Sequence, residues 1–209
     1  MSDKTFRIKK NRDDVIRVLK CIIEVLNKYE IEYYLDFGTL IGAVREKGLI
    51  PWDDDIDISL LNEEDYKRMP EVLKEIKKRF NLRTYLLTYK QQNEKRILRN
   101  SVPTHIRFTD EENYQIAKVR TNKFWIFGRG QTTIDIFFKY KFKEDIYWTA
   151  FGIENSIPAK YLSSNLVIID FCGLQCTMLK NYDEYLTYIY GDWKNPDENW
   201  IESDSKCLS

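Results

Sequence analysis

Histidine is almost missing from this chain: His105 is the only one in 209 residues. Cysteine is scarce as well, and Cys21, Cys172, Cys176 and Cys207 include no CxxC pair. A Cys/His zinc centre is therefore excluded in practice. The four thiols read instead as buried, unpaired cysteines of a reducing compartment. His105 sits in strand-like sequence and reads as structural. Net charge is absent too, with 33 Lys+Arg against 33 Asp+Glu. No basic arm or basic-aromatic stripe stands out, so nucleic acid is not an expected partner. No apolar run approaches the ~20 residues needed to span a bilayer. The expectation is a soluble, unsecreted, cytoplasmic protein.

What is present is a globular composition, 43% apolar and 32% charged, with a rich 14% of aromatics. The length accommodates one domain with a full core. We expect a single domain over residues 1–200 and a polar, loose tail over 201–209.

The chain is organised around residues 33–60, YYLDFGTLIGAVREKGLIPWDDDIDISL. Before it, apolar residues recur at helical spacing from an Asn11 cap to about Glu30, which predicts a scaffold helix. Residues 31–35 read as a strand ending in Asp36. Gly38-Thr39 then opens a short helix over residues 39–45, and a helix start behind a glycine is a natural anion site. Lys47-Gly48 ends it, and Pro51-Trp52 leads into the acidic run. Asn62, with Asp65 placed for a capping box, starts a second helix to about Phe80, broken or kinked near Pro70. Strands are predicted over 82–89, 105–108, 114–119 and 132–138, with polar loops over 91–96 and 110–113. Residues 167–171 and 174–178 read as a hairpin turned by Cys172-Gly173. Ile157-Pro158 starts a further segment. Asn181, with Glu184, caps a last helix that Gly191 stops. Its aromatics, Tyr182, Tyr185, Tyr188 and Tyr190, with Trp193 beyond, read as packing. This order predicts an α+β fold with a mixed sheet flanked by helices.

In Asp55-Ile56-Asp57-Ile58 acid and aliphatic alternate. On a strand that puts both carboxylates on one face, about 6–7 Å apart, and both isoleucines in the core. Two such acids repel unless a cation lies between them. A third acid, Asp135, sits in Thr-Ile-Asp-Ile-Phe, where a strand interior tolerates an aspartate only if it is satisfied. Three carboxylates from two strands suit Mg²⁺, with Mn²⁺ as a substitute, and Mg²⁺ ordinarily bridges to substrate phosphates. A pair of such ions can clamp the attacking and leaving oxygens of a displacement at phosphorus. Arg45 and Lys118 are the cations placed to meet phosphate.

The run over residues 33–60 resembles the signature of the LicD family of phosphocholine transferases, which the fukutin and fukutin-related sugar-alcohol phosphate transferases share. IDIFF around Asp135 and the closing YLTYIYGDWKNP resemble the family in the same order, so the likeness covers roughly residues 13–196. The resemblance implies a polymerase-β-like nucleotidyltransferase fold. It also implies transfer of phosphocholine or a polyol phosphate from a CDP-activated donor to a carbohydrate hydroxyl. Asp55 and Asp57 match the family's metal pair, Asp135 its third acid, and Gly38 and Thr39 its donor-phosphate turn. Asp36, Arg45, Trp52, Asp53 and Asp54 fall inside the signature. Phe37 departs from it, standing where many relatives carry a small residue. The residues alone leave two alternatives open: a nucleotidyltransferase attacked at the α-phosphorus of a nucleoside triphosphate, and a non-catalytic binding protein on the same fold.

Overall fold

The first helix presents a broad apolar face, and the sheet is built against it. A computed structural model describes residues 4–99, 106–122, 129–150, 153–162, 165–199 and 207. Lys9–Lys28 (α1) buries Val15, Val18, Leu19, Ile22, Val25 and Leu26 among others. Its N-cap is Ile8, not Asn11. Asn11 lies inside the first turn and its side chain donates to the Thr5 carbonyl at 2.9 Å.

Tyr34–Leu35 (β1) is a two-residue strand, shorter than the run over 31–35 implied. Ile31 and Tyr33 are buried without pairing, because the chain leaves α1 through a turn with Glu30 at φ 53°. The helix after Asp36 begins two residues earlier than expected. Phe37–Ile41 (α2) runs into a π-helical turn, Gly42–Glu46, that ends on left-handed Lys47. Asp55–Leu60 (β2) comes next, then Glu63–Tyr66 (α3) and Met69–Phe80 (α4). The break between those helices falls just before Pro70, which sits in the first turn of α4, where a missing N–H is harmless. Asn62 does cap α3, accepting from Glu64 N. Asp65 pairs with Arg68 rather than closing a capping box.

Arg83–Thr88 (β3) leads directly into Tyr89–Ile97 (α5), where the sequence pattern implied a polar loop. The overlooked signal was Thr88 with Gln91, which form a reciprocal capping box. Residues 106–109 are not a strand, and His105 lies outside the described residues. Tyr114–Asn122 (β4) and Arg129–Phe138 (β5) complete the main sheet, in the order β1-β2-β5-β4-β3. β2 pairs with β5 in parallel, and the other neighbours are antiparallel. α1 and α4 cover one face of it, over buried Ile56, Ile58, Ala117, Val119, Ile134 and Ile136. This is the α+β architecture with a mixed, helix-flanked sheet.

A three-stranded meander that the sequence pattern did not imply comes next: Tyr140–Phe142 (β6), Asp145–Ala150 (β7) and Ile153–Pro158 (β8). Ile157-Pro158 therefore ends a strand rather than starting a segment. A 3₁₀ turn leads to the hairpin Leu166–Phe171 (β9) and Leu174–Leu179 (β10). Cys172 and Gly173, at φ 55° and 79°, form its two-residue turn. Tyr182–Tyr190 (α6) closes the fold and ends at Gly191. Asn181 does not cap it; its amide donates to the Tyr161 carbonyl instead. Cys21, Cys172 and Cys176 are free thiols, Cys172 half-buried. Tail residues 201–206 and 208–209 lie outside the described residues. Cys207 is buried, and its carbonyl accepts from Ser156 N at 3.0 Å.

No helix among the described residues is long and apolar enough to cross a membrane.

Gly42 is where the π turn lets the chain pass itself. A Cβ there would meet the Gly48 carbonyl oxygen at 2.6 Å. Gly42→Ala should destabilise the protein by about 1–3 kcal/mol, the usual range for overpacking. Chemical denaturation measures this, and an unchanged midpoint would refute the close approach.

Candidate active site

The register between β2 and β5 puts Asp57 beside Asp135 and Asp55 beside Thr133. All side chains at these positions point to the sheet face opposite α1. Ligand atoms of Asp55, Asp57 and Asp135 lie within 4.8 Å of one another. Asp53, Asp54 and Asp55 form an overlapping cluster on the same criterion. A cleft of about 570 Å³ opens over them. Gly38, Arg45, Trp52 and Asp53 share its lining with the three acids.

The turn expected to hold donor phosphate is laced to β2. Asp36 N donates to the Asp57 carbonyl at 3.0 Å, and Asp57 N donates to Thr39 Oγ1 at 2.9 Å. Asp36 caps α2 through Phe37 N at 2.8 Å. Both Asp36 and Thr39 are buried beneath the cleft and do not line it. Phe37 takes a left-handed φ of 46°, which an L side chain adopts only under constraint. Its ring meets Phe137 edge-on at 5.2 Å and Trp148 at 5.8 Å. At Gly38 an added Cβ would come within 3.0 Å of Asp53 Oδ2, so a glycine keeps the turn against the acids.

Of the expected cations, Arg45 lines the cleft. Its guanidinium is held by Glu46 at 2.7 Å and by the Trp193 carbonyl at 2.7 Å. Lys118 stands directly across from Asp135 in the β4–β5 register and ion-pairs with its Oδ2. Arg120, two residues on and on the same face, was not foreseen; its Nε is buried with no partner among the described residues. Trp148 and Asn155 of the meander also line the cleft, as do Tyr190, Asp192 and Trp193 at the end of α6. Trp148 and Asn155 were invisible in the sequence because β6–β8 carry no motif and reach the site only through tertiary packing, whereas Tyr190, Asp192 and Trp193 lie in the closing YLTYIYGDWKNP, whose aromatics read as packing and here form cleft wall.

Crowding and burial govern the titration of the acids. Burial first, then the neighbouring carboxylates, pushes Asp55 up to about 7. Asp53 rises to about 6 for the same first reason. Asp57 is pushed well above the ordinary range by burial and then by Asp55 and Asp135. Asp135 rises through burial, with Lys118 opposing.

These residues fit a hard divalent cation. The donors are all carboxylate oxygens, and Asp135 Oδ1 is buried with no hydrogen-bond partner among the described residues, as an unfilled ligand atom would be.

Comparison with known proteins bears on the family. A family model described as "LicD/FKTN/FKRP, nucleotidyltransferase domain" matches residues 30–178. The chain belongs to the LicD family and is a transferase of phosphorus-containing groups. It is 26% identical over 233 residues to the lipopolysaccharide cholinephosphotransferase LicD of Haemophilus influenzae, covering 85% of this chain and 88% of that protein. It is also 29% identical to the uncharacterized protein RP689 of Rickettsia prowazekii, over 60% of this chain and 53% of that one.

Each raised pKa means that the folded state holds protons the unfolded chain releases. That stabilising contribution is complete below the ordinary value of 3.8 and, for Asp55, is lost as pH rises through about 7. In excess chelator, the thermal midpoint should therefore fall between about pH 5 and about pH 7.5. Asp55→Asn should raise the midpoint at the higher pH, each kcal/mol gained being roughly 2–4 °C at this chain length. Mg²⁺ should raise the wild type but not Asp55→Asn/Asp57→Asn. A flat pH profile in differential scanning calorimetry would contradict the crowding.

Proposed function

We propose that this protein moves a phospho-alcohol, phosphocholine above all, from a CDP-linked donor to a carbohydrate hydroxyl, on a polymerase-β-like nucleotidyltransferase fold. The observation that carries the proposal is the triad itself. An Asp-x-Asp strand and a parallel neighbour bring Asp55, Asp57 and Asp135 within 4.8 Å at the floor of a cleft bordered by the Gly38 turn. The name of the Haemophilus influenzae relative supports phosphocholine as the group transferred.

Asp55, Asp57 and Asp135 would hold Mg²⁺ or Mn²⁺, whose contribution when bound is Lewis-acid stabilisation of the phosphoryl oxygens. The chain supplies the rest. The Gly38 turn and Arg45 seat the donor's diphosphate, and Lys118 and Arg120 add positive charge on the side of Asp135. The acceptor oxygen attacks the β-phosphorus, the bond from that phosphorus to the bridging oxygen breaks, and CMP leaves. Asp135, on the acceptor side, takes the hydroxyl proton. Asp36 and Thr39 act from beneath, fixing the turn against Asp57.

Phosphocholine is favoured over a polyol phosphate by the cleft wall. Phe37, Trp52, Trp148, Tyr190 and Trp193 line it, with the acids Asp192, Asp197 and Glu198. Aromatic faces beside carboxylates recognise quaternary ammonium through cation–π attraction, which a neutral polyol lacks.

The test is CMP release, with Mg²⁺, from CDP-choline, CDP-ribitol and CDP-glycerol in the presence of a carbohydrate acceptor, beside pyrophosphate release from CTP and ATP. CMP should come from CDP-choline. Asp55→Ala, Asp57→Ala and Asp135→Ala should each abolish it with the circular dichroism unchanged, and near-normal turnover in any of them would remove that residue's role. Trp52→Leu should lower kcat/KM for CDP-choline by about tenfold, the ~1–2 kcal/mol of a desolvated cation–π contact. Pyrophosphate without CMP would make the protein a nucleotidyltransferase. Silence in both, with intact Mn²⁺ binding, would make it a binding protein.

A further inference from the structure

Lys139, between β5 and β6, has no solvent-exposed side-chain surface. Its ammonium ion-pairs with the equally buried Asp36 at 2.6 Å and donates to the Tyr185 hydroxyl at 2.9 Å. The rings of Phe37 and Trp148 stand 4.6 Å from it, and those of Tyr34 and Tyr185 stand at 5.3 Å. Tyr185 and Ser59 both donate to Asp36. The backbone of Lys139 is anchored separately, its N–H donating to the Tyr66 hydroxyl at 3.1 Å.

Such a pair is a poor device for stability alone. Desolvating two charges consumes most of their attraction, and apolar replacements of equal volume are often neutral or stabilising. What the pair does have is connectivity. Asp36 caps the Phe37–Gly38–Thr39 turn and binds Asp57 through its own N–H. Lys139 leaves the strand that carries Asp135, four residues earlier. Tyr185 belongs to α6, whose end lines the cleft. Phe37 and Trp148, the two rings nearest the ammonium, are themselves cleft wall.

We propose that Lys139 is a positioning residue: through Asp36 and the rings around it, its buried ammonium holds the Phe37–Thr39 turn and the Trp148 wall in register with the three acids. Nothing in the family match or the relatives' names assigns it this role. Only the activity arm of the test rests on the phosphotransferase reading.

The decisive comparison is wild type against Lys139→Met and against Asp36→Asn/Lys139→Met, which removes both charges at nearly constant volume. Lys139→Met alone strands a buried carboxylate and can simply lose stability. The double variant should fold, with α1 amides as protected from hydrogen exchange as in wild type. Amides within residues 36–57 should exchange at least tenfold faster, because the turn that protects Asp57 N is released. With CDP-choline, kcat should fall at least tenfold while KM stays within threefold. A purely structural role predicts loss of protection in α1 and the turn together; that outcome would overturn the proposal. Unchanged exchange in residues 36–57 of the folded double variant would also overturn it, as would unchanged kcat. If the wild type releases no CMP, the phosphotransferase reading fails, and hydrogen exchange alone still decides the role of Lys139.

Discussion

Three carboxylates of like charge held within 4.8 Å of one another are the constraint to which the rest of this fold answers. At about 4 Å and an effective dielectric constant near 20, each such pair costs about 4 kcal/mol if both members are ionised. Backbone pairing supplies the force that holds them there. β2 and β5 lie in parallel with Asp57 level with Asp135, and the alternate residues Ile56, Ile58, Ile134 and Ile136 are fully buried against the helices. A slip of one residue would turn those isoleucines outward and the acids into the core, so core burial and site geometry are fixed by one register.

The repulsion is offset from three directions. Protonation offsets it in metal-free protein: burial raises all three acids, and neighbouring carboxylates add to the rise at Asp55 and Asp57. Lys118 offsets it locally at Asp135. Lys139 lies below, and its ammonium feels Asp57 as well as its partner Asp36. Burial pushes Lys139 down from the ordinary lysine range, and Asp36 opposes that fall. The fold thus pairs its one fully buried lysine among the described residues with the aspartate that shapes the neighbouring turn.

Much of this was legible beforehand, for a physical reason. Period-two alternation around Asp55 and Asp57 specifies a strand with one wet face, and an aspartate among isoleucines at 135 can be tolerated only beside something that satisfies it. The helices α1 and α4 announced themselves by apolar spacing. What stayed hidden depended on contacts across the chain. Asp36 reads as a signature acid of the cleft, yet its oxygens are taken up by Phe37 N, Ser59, Tyr185 and Lys139 beneath it. Lys139 itself looks like an ordinary strand-end lysine. Trp148 and Asn155 reach the cleft because β6–β8 fold back on it, which no local pattern encodes. The helix α5 was hidden differently, its own polarity outweighing the Thr88–Gln91 capping box.

The charge of the cleft bears on which donor it can take. Asp53, Asp55, Asp57 and Asp135 lie at its floor, Asp192, Asp197 and Glu198 border it, and Arg45 is the one cation lining it among the described residues. A nucleoside-diphosphate donor is itself an anion, so the floor repels it unless countercharge accompanies the diphosphate. The border acids add to that negative charge. Glu198 is already paired with Arg7, while among the described residues Asp192 and Asp197 accept only from neutral donors, Asn195 and Asn199 N, and a neutral polyol adds no countercharge to them. A trimethylammonium group would bring one positive charge to the border and its methyl groups to the aromatic faces, and it has no hydrogen bonds to water to give up. On the proposed phosphotransferase function, a cleft of this charge would favour a donor whose own charges are separated, negative at the diphosphate and positive at the alcohol.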